Sequence, residues 1–380
     1  MKKNQLVTLG KHIDILSGCA FPSSGFNRNN GVPLIRIRDI LSGKTETYYE
    51  GSYDLKYLIK KGDLLVGMDG DFNREYWKGT DALLNQRVCK ITPNPETLDK
   101  NFLYHFLQKE LDKIHATTDV VTVKHLSVKK IQDIKIWLPS LKEQKRIAAI
   151  LDKADAIRQK REQAIKLADD FLRAKFLEMF GTPANNIHRF PKGTIRDLVD
   201  SVNYGTSAKA SIDSGEYPIL RMGNITYQGR WDFTDLKYLD LSVKEKDKYL
   251  VKEGDLLFNR TNSKELVGKT AVYEEDRPMA FAGYLIRVRP NSIGNNYYIS
   301  GYLNSIHGKI TLMNMCKSIV GMANINAQEL QNIEILIPPK HLQDEYEIIY
   351  KKIKKGLSIY DKSAMQLQLL ASNLSNKYFM

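Results

Sequence analysis

Two long stretches of the chain place apolar residues three and four positions apart, the spacing that forms one stripe along an α-helix. The first, residues 138–181, begins at Pro139 and Ser140 and has no further Gly or Pro before Gly181, which predicts one helix about 60 Å long. Glu143 follows Ser140 at the spacing of a capping box. The predicted stripe consists of Ile147, Leu151, Ala154, Ile157, Ile165, Ala168, Leu172, Phe176 and Met179.

The second stretch occupies the end of the chain, residues 339–380. Its apolar positions alternate steps of four and three, a 3.5-residue period that is typical of a coiled-coil seam. We therefore predict that the two long helices pack together as an antiparallel coiled coil. The predicted seam consists of Ile353, Leu357, Tyr360, Ala364, Leu367, Ala371, Leu374 and Tyr378.

The sequence before each long helix is repeated. Pro33-Leu34-Ile35-Arg36 returns as Pro218-Ile219-Leu220-Arg221, and Gly62-Asp63-Leu64-Leu65 returns as Gly254-Asp255-Leu256-Leu257. A repeat of this kind indicates a duplicated module. We predict a mixed α/β fold of the α+β type, with a pseudo-two-fold internal repeat of module and helix. The predicted domains are residues 1–139, a central helix 140–181, a second module 182–338 and a C-terminal helix 339–380.

Within each module, short apolar runs alternate with loops rich in Gly, Asn and Ser, a pattern typical of β-strands joined by turns. In the first module we predict a single strand over residues 83–91 and an amphipathic helix over residues 98–114. In the second module the corresponding helix is predicted over residues 297–312.

Charge narrows the class of partner. The formal net charge is +13 in 380 residues and the isoelectric point is about 9.3, which favours a polyanionic partner such as nucleic acid without requiring one. Cys19, Cys89 and Cys316 are odd in number and far apart, which favours reduced thiols in the cytoplasm over a zinc site. No apolar run reaches membrane-spanning length, and no secretory signal precedes the first module, so we expect no membrane partner.

Several motifs approach enzyme signatures without completing them. Asp69, Asp71 and Asn73 begin like a calcium loop, but Arg74 stands where the loop needs Gly. Gly268-Lys269-Thr270 ends like a phosphate-binding P-loop and lacks the earlier Gly. The seven histidines have no metal-ligand spacing on one helix face. We therefore predict no catalytic site, no metal site and no cofactor in this chain.

The two modules differ most after the shared Gly-Asp-Leu-Leu. There the first continues VGMDGDFNREYWKGTDALLNQR, and the second continues FNRTNSKELVGKTAVYEEDRP. Arg pairs with guanine edges and Asn or Gln with adenine edges, while Lys, Ser and Thr suit phosphates. Similar scaffolds with different loops are typical of two modules that recognise different targets.

This organisation, and above all the central segment LPSLKEQKRIAAILDKADAIRQKREQAI with the ending FLEMFG, closely resembles the specificity (S) subunit of type I restriction-modification systems. The resemblance covers the whole chain. It departs most at the second long helix, where PPKHLQDEYEIIYKK has Gln343 and Asp344 in place of the usual Glu-Gln.

The resemblance implies two target recognition domains, each reading one half of a bipartite double-stranded DNA target, with the helices as a ruler between them. It implies partners: two modification subunits that carry the adenine methyltransferase and S-adenosylmethionine site, and restriction subunits that use ATP and Mg²⁺. This chain would then be a non-catalytic adaptor. The residues we predict to contact DNA are Arg36, Arg38, Asn73, Arg74, Gln86 and Arg87 in the first module, and Arg221, Asn224, Asn259, Arg260, Asn262, Ser263 and Lys264 in the second.

One alternative from another class stays open at this point. The chain could be a structural scaffold that joins protein partners through its helices, with a basic surface that binds DNA without reading its sequence. Enrichment of a split motif from random duplexes would separate the two hypotheses. A stand-alone nuclease or methyltransferase is disfavoured because its motifs are missing.

Overall fold

The computed structural model describes residues 6–118, 123–319 and 322–379. The chain forms two compact units, the first from Met1–Arg161 with Ser363–Met380 and the second from Glu162–Lys362. Both divisions fall inside long helices. Each unit therefore contains one mixed module and a part of each long helix.

The first unit is built on short strands in two main sheets. In chain order the strands are β1 (Leu6–Thr8), β2 (Ile13–Ser17), β3 (Phe26–Asn27), β4 (Val32–Ile35), β5 (Tyr48–Tyr49), β6 (Leu58–Ile59), β7 (Leu64–Gly67), β8 (Arg74–Tyr76), β9 (Ala82–Leu84), β10 (Val88–Pro93) and β11 (Lys135–Trp137). An antiparallel sheet has the order β2-β10-β7-β8, a mixed sheet has the order β3-β5-β4-β9-β6, and β1 pairs with β11.

The second unit has the same kind of strands. They are β12 (Lys192–Thr194), β13 (Val199–Tyr204), β14 (Tyr217–Leu220), β15 (Lys237–Leu239), β16 (Leu250–Val251), β17 (Leu256–Asn259), β18 (Thr261–Asn262), β19 (Thr270–Val272), β20 (Met279–Phe281), β21 (Leu285–Pro290), β22 (Lys317–Ile319), β23 (Met322–Asn324) and β24 (Glu334–Leu336). The sheets have the orders β13-β21-β17-β19, β15-β14-β20-β16 and β18-β23-β22, and β12 pairs with β24.

These orders confirm the predicted internal repeat. The sheet β2-β10-β7-β8 corresponds strand for strand to β13-β21-β17-β19, and the parallel pair β4 and β9 corresponds to β14 and β20. The modules differ after the shared Gly-Asp-Leu-Leu, as the sequence predicts. There the second module forms the small sheet with β18, whereas the first makes the isolated bridge between Asp69 and His125.

The helices, in chain order, are α1 (Lys100–Thr117), α2 (Val128–Gln132), α3 (Leu141–Phe180), α4 (Val243–Tyr249), α5 (Asn296–Asn304), α6 (Ile306–Met315), α7 (Ala327–Gln331) and α8 (Lys340–Phe379). We call α3 the central helix and α8 the C-terminal helix; both were predicted. Helix α1 is capped at its N-terminus by Asp99, whose carboxylate accepts hydrogen bonds from the backbone N–H groups of Asn101 and Phe102.

Two local predictions were wrong. Residues 83–91 form two strands in different sheets, because the chain turns at Asn85, Gln86 and Arg87. The single helix predicted over residues 297–312 is instead the pair α5 and α6. Ser305 separates them in an extended conformation, and its side chain caps α6 by accepting a hydrogen bond from the Gly308 N–H.

The largest hydrophobic core of each unit includes part of the central helix. In the first unit Ile147, Ala148 and Leu151 join the core that contains Phe102 and Phe106 of α1. In the second unit the core holds Phe176, Phe180, Tyr298 of α5 and Tyr346 of the C-terminal helix. All the residues of the predicted stripe on the central helix are buried or half-buried, which confirms that stripe.

The second unit contains an antiparallel contact between the long helices. Phe180 and Phe176 of the central helix lie with their ring centroids 5.9 and 5.3 Å from that of Tyr346. Earlier in the central helix, Leu172 faces Leu357, a later residue of the C-terminal helix, across a small cavity. In the predicted seam, Ile353 is half-buried and Leu357 is buried. The side chains of Tyr360, Ala364, Leu367, Ala371, Leu374 and Tyr378 lie outside the described residues.

A buried glutamine fixes the start of each long helix. The Gln144 side-chain amide donates to the backbone carbonyls of Pro139 at 2.8 Å and Thr97 at 3.0 Å, and its oxygen accepts from the Asp99 N–H at 2.8 Å. Gln343 repeats the first contact with Pro338 at 2.8 Å and donates to the Ile293 carbonyl at 3.0 Å.

The predicted capping box at the central helix is only half formed. Ser140 accepts a hydrogen bond from the Glu143 N–H at 3.4 Å, whereas the Glu143 carboxylate pairs with Arg146 at 2.7 Å.

Candidate nucleic-acid interface

The parallel strand pair of each module brings some of its predicted contact residues to one edge. Because parallel strands run in the same direction, their C-terminal ends meet at the same side of the sheet. In the first module Ile35 of β4 is opposite Leu84 of β9, so Arg36 follows one strand and the turn at Gln86 follows the other. In the second module Leu220 of β14 is opposite Phe281 of β20.

At this edge the second module has an open cleft of about 940 Å³. None of the described residues that line the cleft is Asp or Glu, so its positive charge has no acidic counterpart within the lining. We call it the basic cleft. Its cationic side chains are Lys209, Arg221, Lys237, Arg260 and Lys269.

Arg221 enters the cleft directly after β14. Its Nη2 donates to the carboxylate of Asp235 at 2.8 Å and to the backbone carbonyl of the same residue at 2.9 Å. Asn224 lies below it and is only 3% exposed. The Asn224 oxygen accepts from the Arg221 N–H, and its amide donates to the carbonyls of Asp232 and Asp235. Asn224 thus holds the turn that presents Arg221.

Arg260 follows β17 on the opposite wall. Its guanidinium carbon lies 4.9 Å from the ring centroid of Tyr204, a distance at which a cation is attracted to the ring face. Its backbone N–H donates to the Tyr284 carbonyl at 3.0 Å. The preceding Asn259 is fully buried and exchanges backbone hydrogen bonds with Gly268 and Lys269, and it does not line the cleft.

The next residues lead out of the cleft to the surface. Asn262 lies in β18 and lines the cleft, and its side-chain oxygen accepts from the Ser263 N–H at 2.8 Å. The Ser263 carbonyl accepts from the Leu266 N–H at 3.0 Å, which closes a turn. Lys264, within that turn, is exposed.

Lys269 is a cleft residue that our sequence analysis missed. It is 8% exposed, and its Nζ donates to the Met222 carbonyl at 2.7 Å. Burial lowers the pKa of Lys269, because the charged form loses its hydration. The sequence signal was Gly268-Lys269-Thr270, which we considered only as the end of a P-loop.

In the first module the corresponding edge carries Arg36, Arg38, Gln86 and Arg87. Arg36 lies over the ring of Phe26 at 5.3 Å, and Arg38 and Gln86 are exposed. Arg87 has a left-handed backbone, with φ of 72°. Its Nε lies 3.5 Å from the carboxylate of Asp69, which also accepts from His125 at 2.5 Å.

Asn73 and Arg74 lie elsewhere in the first module. The guanidinium of Arg74 stacks 3.4 Å from the ring centroid of Tyr104 on α1, and its backbone N–H donates to the Gln108 side chain. Burial lowers the pKa of Arg74. Asn73 precedes it at the start of β8 and is half-buried. The structure therefore does not bring this pair to the edge that carries Arg36 and Arg87.

The predicted contacts of these residues with bases and phosphates stay predictions. Two observations bear on other classes of site. Within residues 6–118, 123–319 and 322–379, no three His, Cys, Asp or Glu side chains are grouped as metal ligands. In the same part of the chain, no helix combines the length and apolarity that crossing a bilayer requires.

Comparison with known proteins places the chain in a family. The family model described as type I restriction modification DNA specificity domain matches residues 1–167 and again residues 190–371. The chain is 30% identical to the type I restriction enzyme EcoBI specificity subunit of Escherichia coli, over 97% of this chain and 82% of that protein. It is 23% identical to the EcoKI specificity subunit of Escherichia coli strain K12, over 92% and 80%.

A solved structure shares the fold. The S subunit of a type I restriction-modification system from M. genitalium superimposes with a TM-score of 0.66 at 15% identity, covering 100% of this chain and 97% of that one. The tandem family match, the 30% identity over nearly the whole chain and the repeated modules agree with one another. The chain belongs to the family of type I restriction-modification specificity subunits.

Proposed function

We propose that this chain is the non-catalytic DNA-reading subunit of a type I restriction-modification complex. Each module would bind one half of a bipartite target in double-stranded DNA, with lysines at phosphates and Arg, Asn and Gln at base edges. The observation that carries this proposal is the basic cleft of the second module, where the cations Arg221, Arg260 and Lys269 converge without an acidic lining residue.

The chemistry of the cleft suits a phosphate backbone. Cations in a concave, partly desolvated surface attract DNA more strongly than the same cations on an open surface, because the wall has a low dielectric. The Lys269 ammonium group is largely buried and donates to the Met222 carbonyl, and burial disfavours its charged form. A DNA phosphate near that position would offset part of this cost.

The two modules support a target with unlike halves. Their antiparallel sheets match strand for strand and both have the parallel strand pair, but the loops after β7 and β17 differ in length, sequence and structure. At the edge of the first module, the cation Arg87 is paired with Asp69. The equivalent position of the second module is occupied by Tyr284, which carries no charge. Unlike side chains on equal scaffolds would read unlike half-sites.

We assign the spacing of the half-sites to the two long helices. The central helix contributes core residues to both units, with Ile147 and Leu151 in the first and Phe176 and Phe180 in the second. In this proposal the length of this continuous helix, which contributes to both cores, would set the gap. The same helices would dock the modification subunits.

We also assign the chemistry to partner subunits. S-adenosylmethionine would bind to two modification subunits, and ATP and Mg²⁺ would be used by restriction subunits. The sequence of this chain lacks methyltransferase and P-loop motifs, which supports this division. The free cysteines Cys19, Cys89 and Cys316 support a cytoplasmic location for this function.

The test is selection from a pool of random duplexes by the full chain in complex with its modification subunits. We expect enrichment of a split motif with a fixed spacer. Replacing Lys209 and Lys237 of the cleft by Ala should weaken binding and lower its salt dependence, whereas Lys244→Ala, on the exposed surface of α4, is the matched control. Binding without any enriched motif would instead support the scaffold hypothesis.

A further inference from the structure

Tyr284 occupies in the second module the place that Arg87 occupies in the first. Each is the last residue of the turn between the parallel-paired strand and the long antiparallel strand, β9 to β10 in one module and β20 to β21 in the other. The residue that opens each turn makes an equivalent parallel bridge, Asn85 with Cys19 and Ala282 with Thr206.

Backbone hydrogen bonds show that the match is position for position. The Arg87 carbonyl accepts from the Met68 N–H at 2.8 Å, and the Tyr284 carbonyl accepts from the Arg260 N–H at 3.0 Å. The chain continues the same way in both modules, since the Met68 carbonyl accepts from Leu126 and the Arg260 carbonyl accepts from Ile325. The scaffold therefore places the two residues at the same site on the module, although Arg87 has a left-handed backbone with φ of 72° and Tyr284 does not.

The side chains at this site differ in chemistry. Arg87 is an exposed cation whose Nε lies 3.5 Å from Asp69 and whose Nη1 lies 3.4 Å from the His125 ring, and arginine is the side chain that most often pairs with guanine O6 and N7. Tyr284 is a neutral ring, 55% exposed, on the lining of the basic cleft beside Arg260. In the described part of the chain no other aromatic ring packs against it, and its 55% exposure leaves part of the ring accessible to a ligand.

We propose that Tyr284 is a specificity-determining residue of the second module, and that its ring contacts the C5 methyl group of a thymine in the half-site. An aromatic ring cannot make the paired hydrogen bonds by which Arg recognises guanine O6 and N7. Its apolar surface can pack against the thymine methyl group in the major groove. Arg87 reads a guanine at the equivalent place of the first half-site. This inference rests on the proposed function and assigns to one residue, Tyr284, the base that it contacts.

The experiment uses the full chain with its modification subunits and the split motif selected by the wild type. Tyr284→Ala should lose about tenfold in preference for an A·T pair at one position of one half-site and leave the other half-site unchanged. Tyr284→Phe should keep the preference, because the ring is retained. Replacing the thymine at that position by uracil should weaken wild-type binding by a similar factor and should not weaken Tyr284→Ala further.

A reciprocal pair gives a second readout. Tyr284→Arg should create a preference for guanine at the affected position, and Arg87→Tyr should lose one in the other half-site. Both side chains are exposed, and the backbone hydrogen bonds of the two turns do not depend on them. Arg87→Tyr also removes the contacts of Arg87 with Asp69 and His125, so thermal melting should show that each variant is folded. An unchanged split motif in Tyr284→Ala, or loss of preference at a G·C pair, would overturn this inference while leaving the proposed function intact. Absence of any motif in the wild type would instead remove the proposed function.

Discussion

The guanidinium of Arg230 lies 2.5 Å from the carboxylate of Asp169, and the two side chains are only 19% and 17% exposed. Asp169 is on the central helix, and Arg230 is in the second module, in a turn where its backbone N–H donates to the Thr226 side chain. Within the second unit, a largely buried ion pair thus joins the module to the helix that we propose as the spacer.

Asp169→Ala should lower the free energy of unfolding by about 3 kcal/mol, because it leaves the Arg230 charge buried without its carboxylate partner. Urea denaturation of the full chain measures this. The matched control is Asp170→Ala, because Asp170 is next in sequence but 54% exposed, in a 3.7 Å ion pair with Arg173. The control should change stability by less than about 1 kcal/mol. Equal losses of unfolding free energy in the two variants would show that the Arg230–Asp169 ion pair does not stabilise the contact between the module and the helix.

Gln144→Ala should destabilise the start of the central helix by about 3 kcal/mol. The substitution removes two hydrogen bonds to carbonyls and leaves the Asp99 N–H without its acceptor in a buried place. The neighbouring Glu143→Ala removes only an exposed pair with Arg146 and should cost much less. Hydrogen exchange of the Asp99 amide should quicken in Gln144→Ala. Unchanged exchange at that amide would contradict the anchoring role.

The long helices and the repeated strand order could be predicted because both depend on local patterns. A stripe with helical period, such as Ile147 to Phe176, identifies a helix wherever its partner lies. The repeat of Gly62-Asp63 in Gly254-Asp255 fixes equivalent turns, and in both places the Gly has a positive φ, 91° and 87°. Neither inference requires knowledge of distant contacts.

The candidate site was harder to predict, since its side chains are placed by residues distant in sequence. Asn is a residue type that can pair with a base, yet the Asn224 amide donates hydrogen bonds to the carbonyls of Asp232 and Asp235 inside a turn. Arg74 stacks on Tyr104, which no local pattern indicates. The equivalence of Tyr284 to Arg87 depends on backbone hydrogen bonds between distant segments, which no local pattern in the sequence indicates.

Lys309 gives a prediction about pH. Burial, with Arg173 and Lys269 nearby, lowers its pKa from 10.5 to about 8. Its Nζ faces the Gly268 carbonyl at 3.4 Å and the ring of Tyr227 at 5.0 Å, and Lys264 and Glu265 line the same cavity. Below pH 8 the lysine is charged in both states, so the full cost of burying the charge is present. Between pH 8 and 10.5 only the unfolded state keeps the proton, so this residue makes stability rise with pH.

Lys309→Met should therefore raise the free energy of unfolding at pH 7 by about 3 kcal/mol, and this gain should shrink as the pH rises from 8 to 10. Lys309→Arg keeps a charge throughout and serves as the control. Urea denaturation of both variants and the wild type at pH 7, 8, 9 and 10 measures the difference. A gain for Lys309→Met that is the same at every pH would show that packing, and not the buried charge, sets the cost.

Arg260 gives a prediction about sequence reading. Its guanidinium is steadied by the Tyr204 ring and stands in the basic cleft, so it has the fixed orientation that bidentate pairing with a base requires. Arg260→Ala should change the preference at one position of one half-site by about 1 to 3 kcal/mol and leave the other half-site unaffected. Arg260→Lys should lose most of the same preference, because Lys lacks the planar fork.

Lys264 provides the contrast needed to interpret that result. It is exposed on the turn beyond β18, where a phosphate contact would carry no sequence information. Lys264→Ala should weaken binding to all duplexes by a similar factor and reduce the salt slope of the binding constant by about 1. Measuring both variants on the selected motif and on single-base variants, at several salt concentrations, separates the two roles. If Arg260→Ala also weakened every duplex equally, Arg260 would be a phosphate contact, and base reading in the second module would have to come from other residues of the cleft.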